Sequence, residues 1–336
     1  MIVDAHNHVI PQGTVAQLEK DVEGFGVKVE GSGDSRRLVH REGFAYPMFK
    51  EFFDPAEKVR KLDASGFDKA VISPSPTLFF YRIDGGKNTE FVRGLNEEIA
   101  SFVRYAPNRL IGMGTLPMQS AEASIAEIDY LVDQLGIRAV MIGTHIDGVQ
   151  LADPTLRPVL RHAADRDIFI LTHPYYFGSK PGLEPYYLTN LIGNPLDTTI
   201  MAAHLIFGGV MEELPGLKLC LSHGGGFAPY QIGRLVHGWG VRPETKTTSV
   251  SPKELLKRFY FDTITHDPEA LRYLVEFAGA DHVLMGTDIP FDMADPAPLQ
   301  TLKNAGLSEQ DYDLINGGNA LRLCSMANTR SLEDVR

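Results

Sequence analysis

Short apolar runs recur along this chain, and several end alike: a polar residue, then glycine or proline. Ile168-Phe169-Ile170-Leu171 runs into Thr172-His173-Pro174, and Leu219-Cys220-Leu221 into Ser222-His223-Gly224. Val283-Leu284-Met285-Gly286 runs into Thr287-Asp288-Ile289-Pro290. Short apolar segments bounded by Gly or Pro read as strands buried on both faces, as in a parallel sheet. Eight runs predict strands near 2–8, 67–74, 109–115, 137–143, 167–173, 218–223, 258–264 and 282–288. Helical patterns lie between them. Asp54-Pro55-Ala56-Glu57 supplies an N-cap, a proline at the first helical position and a glutamate three residues after the cap. Residues 120–135 place Ala121, Ile125, Ile128, Leu131, Val132 and Leu135 at helical spacing, and 152–165 and 267–278 behave similarly.

Alternating strands and helices favour a parallel sheet, and eight units predict a closed (β/α)8 barrel of about 250 residues. We expect residues 1–324 to form a single barrel domain, with the surplus of the 336 residues in insertions and 325–336 as a polar, frayed tail. The largest insertion, 10–53, leaves the C-terminal end of the first strand, the face where barrels keep their chemistry. It carries Phe25, Phe44, Tyr46, Phe49, Phe52 and Phe53, and it reads as a small flap. A second excursion, 175–205, follows the fifth strand.

Composition narrows the function. A net charge of −11 without a basic block argues against nucleic acid as a partner. Two cysteines, Cys220 and Cys324, are too few for a disulfide framework. No basic, apolar leader opens the chain, and no apolar run approaches the roughly 18 residues of a membrane span. The expectation is a cytoplasmic protein with no membrane partner.

The first strand reads Asp4-Ala5-His6-Asn7-His8. Alternate residues of a strand share a face, so His6 and His8 project together. Two imidazoles on one side can grip a divalent cation. A polar strand end is costly to bury without a partner. Four such ends carry His6/His8, His173, His223 and Asp288, and a barrel gathers them around one mouth. His6, His8, His173 and Asp288 can meet at one ion, a donor set that suits zinc (or another divalent ion such as Mn2+), with a position open for water or substrate. His223 lies one position away and can act as general acid and base. Asp288 can serve as ligand, as proton shuttle, or as both.

The order His-Asn-His, Thr-His-Pro, Ser-His-Gly-Gly-Gly and Gly-Thr-Asp-Ile-Pro, spread over almost the whole chain, resembles the amidohydrolase superfamily. Within it, the stretches Gly114-Thr115-Leu116-Pro117-Met118-Gln119, Ile142-Gly143-Thr144-His145, Phe207-Gly208-Gly209-Val210 and Gly318-Asn319-Ala320 resemble the aminocarboxymuconate-semialdehyde decarboxylase family. The resemblance implies a TIM barrel of the metal-dependent hydrolase type. It implies one zinc per chain on the residues matching His6, His8, His173 and Asp288, with His223 as the acid/base. Superfamily members with two metals bridge them by a carboxylated lysine at the end of strand four. That strand here ends Ile142-Gly143-Thr144-His145, so one metal is expected, and His145 is either a residue supporting the site or a satisfied buried histidine.

The resemblance also implies a homodimer in which Arg242 reaches the neighbouring subunit's site to bind a substrate carboxylate. A second family arginine, from the flap, falls at Tyr46 here, and a family tryptophan after the strand-five histidine is replaced in His173-Pro174-Tyr175-Tyr176. Arg82, after strand two, is a candidate replacement cation. The expected activity is zinc-dependent, non-oxidative decarboxylation of a carboxylated muconate semialdehyde or a related unsaturated or aromatic carboxylic acid. The alternative is a zinc-dependent hydrolase of C–C, amide or lactone bonds in aromatic-compound catabolism.

Overall fold

In a computed structural model, residues 1–175 and 181–325 are described. Each of the eight expected runs contributes one strand of a parallel barrel: Val3–Val9, Lys69–Pro74, Leu110–Gly112, Ala139–Gly143, Phe169–His173, Lys218–Leu221, Tyr260–Asp262 and Val283–Leu284. The first three pair in sequence order, as do the last five. Two bridges join the arcs into a closed ring, Gly114 to Val140 between strands three and four, and Asn7 to Ile289 between the eighth-strand segment and strand one. At that second seam Ala5 N also donates to Met285 O at 2.8 Å.

Several ladders stop short of the predicted ends, because side chains take over the backbone donors. Ile264 N donates to Asp262 Oδ1 at 3.1 Å, and Thr287 N to Asp4 Oδ1 at 3.1 Å. The seam is tight. A Cβ on Gly286 would lie 2.8 Å from the Cβ of His6, so glycine there lets the last strand approach the first.

The predicted helices form at Pro55–Ser65, Ala121–Asp133, Arg157–Asp165 and Pro268–Ala278. Asp54 caps the first by accepting from Ala56 N and Glu57 N, and Asp267 caps the last by accepting from Ala270 N. Long helices at Gly85–Tyr105, Asn194–Phe207 and Ala228–Val241 complete the outer layer. One hydrophobic cluster runs from Val3 to Cys324. Strand residues such as Val140, Ile142, Phe169 and Leu219 are buried, as expected for strands covered on both sides. The expected tail beyond Ser325 lies outside the described residues.

The 10–53 segment has structure that periodicity did not predict. Helices Gln12–Lys20 and Val22–Phe25 lead into an antiparallel sheet of Val27–Glu30, Arg37–His40 and Ala45–Pro47, and the chain returns through Lys50–Phe53. The third of these strands carries Tyr46 to the wall of a cavity that also exposes His173 and Asp288.

Candidate metal centre

The C-terminal barrel ends bring His6, His8, His173 and Asp288 together. One ligand atom from each lies within 4.8 Å of all the others. All four side chains are buried. The first strand bulges between Asp4 and Asn7, where its register against the second strand shifts. Bulges re-aim side chains beside active sites. Here both His6 and His8 end with Nε2 atoms 3.1 Å apart.

The surroundings choose the tautomers. His6 Nδ1 lies 2.8 Å from Asp262 Oδ2, and His8 Nδ1 lies 3.2 Å from Pro74 O. His173 Nδ1 bonds Pro174 O. Carboxylates and carbonyls only accept, so each Nδ1 donates, and each neutral ring turns a lone pair on Nε2 inward. His8 Nε2 then faces Asp288 Oδ1 at 2.8 Å, acceptor against acceptor. His6 Nε2 and His173 Nε2 lie 3.5 and 3.6 Å from the same oxygen. His173 Nε2 is buried without a hydrogen-bond partner. Four converging acceptors with one orphaned fit a divalent cation, and three imidazoles plus one carboxylate are a donor set for zinc or manganese.

Electrostatics agree. Burial works against a charge on His6, but the Asp262 hydrogen bond and the charges of Asp288 and Asp262 outweigh it and raise its pKa. Burial likewise pushes Asp288 up, yet the imidazoles of His173, His223 and His8 hold it well below the usual carboxylate range. Burial pulls His173 down to about 3. Burial also lowers His8, so His8 and His173 stand as neutral rings around an ionised Asp288.

His223 stands outside this set. Its Nε2 is 3.5 Å from Asp288 Oδ2, the oxygen turned away from His8, and its ring centroid is 5.0 Å from that of His173. Its backbone sits at φ 54°, a left-handed conformation uncommon for a side-chain-bearing residue. Asp262 holds it there, because Oδ2 accepts from His223 N at 2.9 Å and Oδ1 from Gly224 N at 2.8 Å. Asp262 therefore orients a metal-ligand candidate and the acid/base candidate at once. Asp262 is not among the residues expected at the site, although Phe259-Tyr260-Phe261-Asp262-Thr263 ends with the same apolar-to-polar step as the other site strands.

Two cavities open onto Asp288. One, about 590 Å³, is lined by His223, Asn190, Tyr230, Thr265 and His266 among others. The second, about 380 Å³, lies against His173, Tyr46, Tyr175, Tyr187, Phe291 and Asp292. Among the described residues no lysine or arginine lines either. Tyr46 is largely buried. That burial, with Tyr187 and Asp292 nearby, pushes its hydroxyl up to about 12, so it acts as a neutral donor or acceptor.

Arg82 lies beside a smaller cavity of about 110 Å³ that shares Tyr46 and Tyr175 with the second one, and it pairs with Asp147 at 2.7 Å. Arg242 follows the Ala228–Val241 helix, is exposed, and pairs with Glu244. Neither guanidinium is brought to the metal ligands within one subunit. His145 is buried with Nδ1 accepting from Gly148 N at 3.0 Å and Tyr175 Oη 3.3 Å away, which is a satisfied core histidine.

The family model described as Amidohydrolase matches residues 3–324. The 2-amino-3-carboxymuconate-6-semialdehyde decarboxylase of Dictyostelium discoideum is 32% identical over 328 residues, covering 96% of this chain and 91% of that protein. Among solved structures, the apo form of Metarhizium anisopliae IDCase superposes with a TM-score of 0.84 at 23% identity, covering 96% of both chains. A dihydroxybenzoic acid decarboxylase from Polaromonas, solved with bound manganese and 2-nitroresorcinol, has a TM-score of 0.77 at 20% identity, again covering 96% of both chains. The chain belongs to the amidohydrolase family, in the company of aminocarboxymuconate-semialdehyde decarboxylase and other carboxy-lyases.

Proposed function

We propose that this protein is a metal-dependent, non-oxidative decarboxylase of an unsaturated or aromatic carboxylic acid, a carboxylated muconate semialdehyde or a relative of one. The observation that carries this reading is the buried set of three imidazoles and one carboxylate with His223 beside it at a cavity wall. The 32% relationship to a decarboxylase supports decarboxylation among the reactions such a site can run.

One ion per chain, zinc by preference and manganese as the other candidate, would be held by His6, His8, His173 and Asp288. When bound it supplies Lewis acidity to a substrate oxygen next to the reacting carbon. The chain's own residues do the rest. As the carbon–carboxyl bond breaks, its electron pair stays on carbon and carbon dioxide leaves. A proton must take the vacated position, and His223 Nε2, facing the cavity, delivers it. Asp288 Oδ2, 3.5 Å from that nitrogen, stabilises the protonated imidazole before transfer and is the second candidate to shuttle the proton. Asp262 holds the His223 backbone so that the ring meets the substrate at a fixed distance. The aromatic wall of Tyr46, Tyr175 and Phe291 suits a flat, conjugated body and excludes water from it.

The 10–53 segment acts as the flap of a single barrel domain in this reading, with Tyr46 its contact to substrate. A pocket whose described lining has no cation from its own chain suits a substrate with one carboxylate fewer than the family's dicarboxylate, or one offering a hydroxyl to Tyr46. Among the described residues no helix is long and apolar enough to cross a membrane. Carbon dioxide release from a panel of ring-cleavage and hydroxybenzoic acids tests the reaction. Stoichiometric carbon dioxide with loss of one carboxyl group supports the lyase. Release of a new carboxylate or alcohol without carbon dioxide, from amide, lactone or C–C substrates, would establish the hydrolase instead.

The second cation of the pocket comes from a homodimer in this reading, with Arg242 of each chain serving the other's site. Its exposure supports this, as do the exposed Tyr230, Val241, Leu191 and Ile192. A guanidinium fits a carboxylate through paired, planar hydrogen bonds. Arg242→Ala is expected to lower kcat/KM by roughly 2–5 kcal/mol if that pair is buried in the dimer. Mixing inactive Arg242→Ala chains with inactive His223→Asn chains should restore part of the activity, since one site of each mixed dimer carries neither lesion. No recovery after demonstrated subunit exchange would place Arg242 outside the neighbouring site.

A further inference from the structure

Beneath the metal ligands lies a polar chain that the reaction does not use. Asn7 sits between His6 and His8 and is fully buried, as is Lys58 from the Pro55–Ser65 helix. Lys58 Nζ donates to Asn7 Oδ1 at 2.6 Å, to Glu51 Oε1 at 3.0 Å and to the carbonyl of His8 at 3.2 Å. Those three bonds use all three ammonium donors. Asn7 Nδ2 donates to Asp4 Oδ2 at 2.7 Å. The same Asp4 oxygen accepts from Thr287 Oγ1 at 2.6 Å, and Asp4 Oδ1 accepts from Thr287 N at 3.1 Å. Thr287 directly precedes Asp288.

The chain Glu51–Lys58–Asn7–Asp4–Thr287 thus touches the backbone neighbours of His6, His8 and Asp288. It crosses the seam where the last strand closes on the first. Its other end, Glu51, lies on Lys50–Phe53, where the insertion returns to the barrel, and Phe52 O accepts from Ile10 N at 2.8 Å. A buried ammonium is a demanding way to fill space. Burial alone pulls Lys58 down, and Glu51 opposes that. A methionine would occupy the same volume without the desolvation. What the methionine lacks is direction, because three hydrogen bonds to two chain segments fix their separation and rotation.

We propose that Lys58 is a positioning residue for the metal centre, the hub of a buried polar chain that holds two ligand-bearing strand ends in register and ties them to the returning end of the insertion. It touches no ligand atom. It acts on metal affinity through Asn7 and the His8 carbonyl, as outer hydrogen bonds do in metal sites. This goes beyond the decarboxylase reading and rests only on the four-ligand site.

The test is metal affinity, measured by chelator competition on the purified protein with zinc and with manganese, alongside the melting temperature of the metal-free chain. Lys58→Met/Glu51→Met replaces the buried pair by apolar side chains, a change that folds often tolerate. We expect metal to bind about 10–100-fold more weakly while the metal-free melting temperature moves little. Unchanged affinity in the folded double variant overturns the proposal, whether or not the melting temperature falls. Should the double variant fail to fold, Thr287→Val cuts the chain at its far end. It is expected to weaken metal binding in the same direction, and unchanged affinity there is equally fatal. No substrate enters the measurement, so its outcome is separate from that of the decarboxylation assay.

Discussion

His223→Asn is expected to keep its metal and lose roughly 10²–10⁴-fold in turnover, the range a positioned general acid–base group contributes. The separation follows from geometry. The four ligand atoms converge without His223, whose nearest ligand contact is Asp288 Oδ2 at 3.5 Å. Asparagine keeps a polar, hydrogen-bonding side chain in the place of the Nδ1 edge, removes Nε2 and carries no transferable proton near neutral pH. The backbone bonds from His223 N and Gly224 N to Asp262 do not depend on the ring, so the loop should keep its shape. Elemental analysis and saturating-substrate kinetics on the same preparation check both halves. Near-normal turnover would move the proton to Asp288 and leave His223 a structural part.

His6→Ala is expected to abolish both metal retention and activity. Wild-type protein should carry about one equivalent of zinc or manganese per chain, and the variant a small fraction of that. The loss is larger than one ligand's share. Without the His6 ring, the Asp262 carboxylate loses a 2.8 Å partner in a fully buried place, and His8 and Asp288 are left facing each other. Asp262→Asn should be milder, about 10–100-fold in metal affinity, because the ligand remains and only its orientation loosens. Metal-free wild-type protein should also melt at lower temperature, since an ion bound only by the folded state stabilises it. Two tightly held ions per chain, or full activity in the metal-free protein, would end the single-metal reading.

Much of this was legible in the order of residues. The apolar runs ending in His173, His223 and Asp288 are strands whose polar tips reach one mouth, and His6 and His8 do share a face. The Asp54 and Asp267 caps begin helices where the capping pattern placed them. Other features were invisible to that reading. The insertion's sheet is built from strands of three or four residues, too short for a period to register. Tyr46 and Arg82 were both candidates for one role, yet Tyr46 lines the metal-side cavity while Arg82 lies beyond it, paired with Asp147.

Local patterning carried the eight strands and the barrel they imply, because apolar runs and capping residues are local properties that survive without a partner, and the polar residues at the strand ends marked the candidate ligands. Beyond those ligands and His223, it could not say which buried polar groups would meet. Asp262 and His6 are 256 residues apart, and Asp4 and Thr287 are 283 apart. Only closure of the ring between its last strand and its first brings them within hydrogen-bond reach. Lys58 shows the same division. Along the chain it is an ordinary helix lysine, and only the packing of that helix against the first strand gives its ammonium three buried acceptors and no solvent exposure.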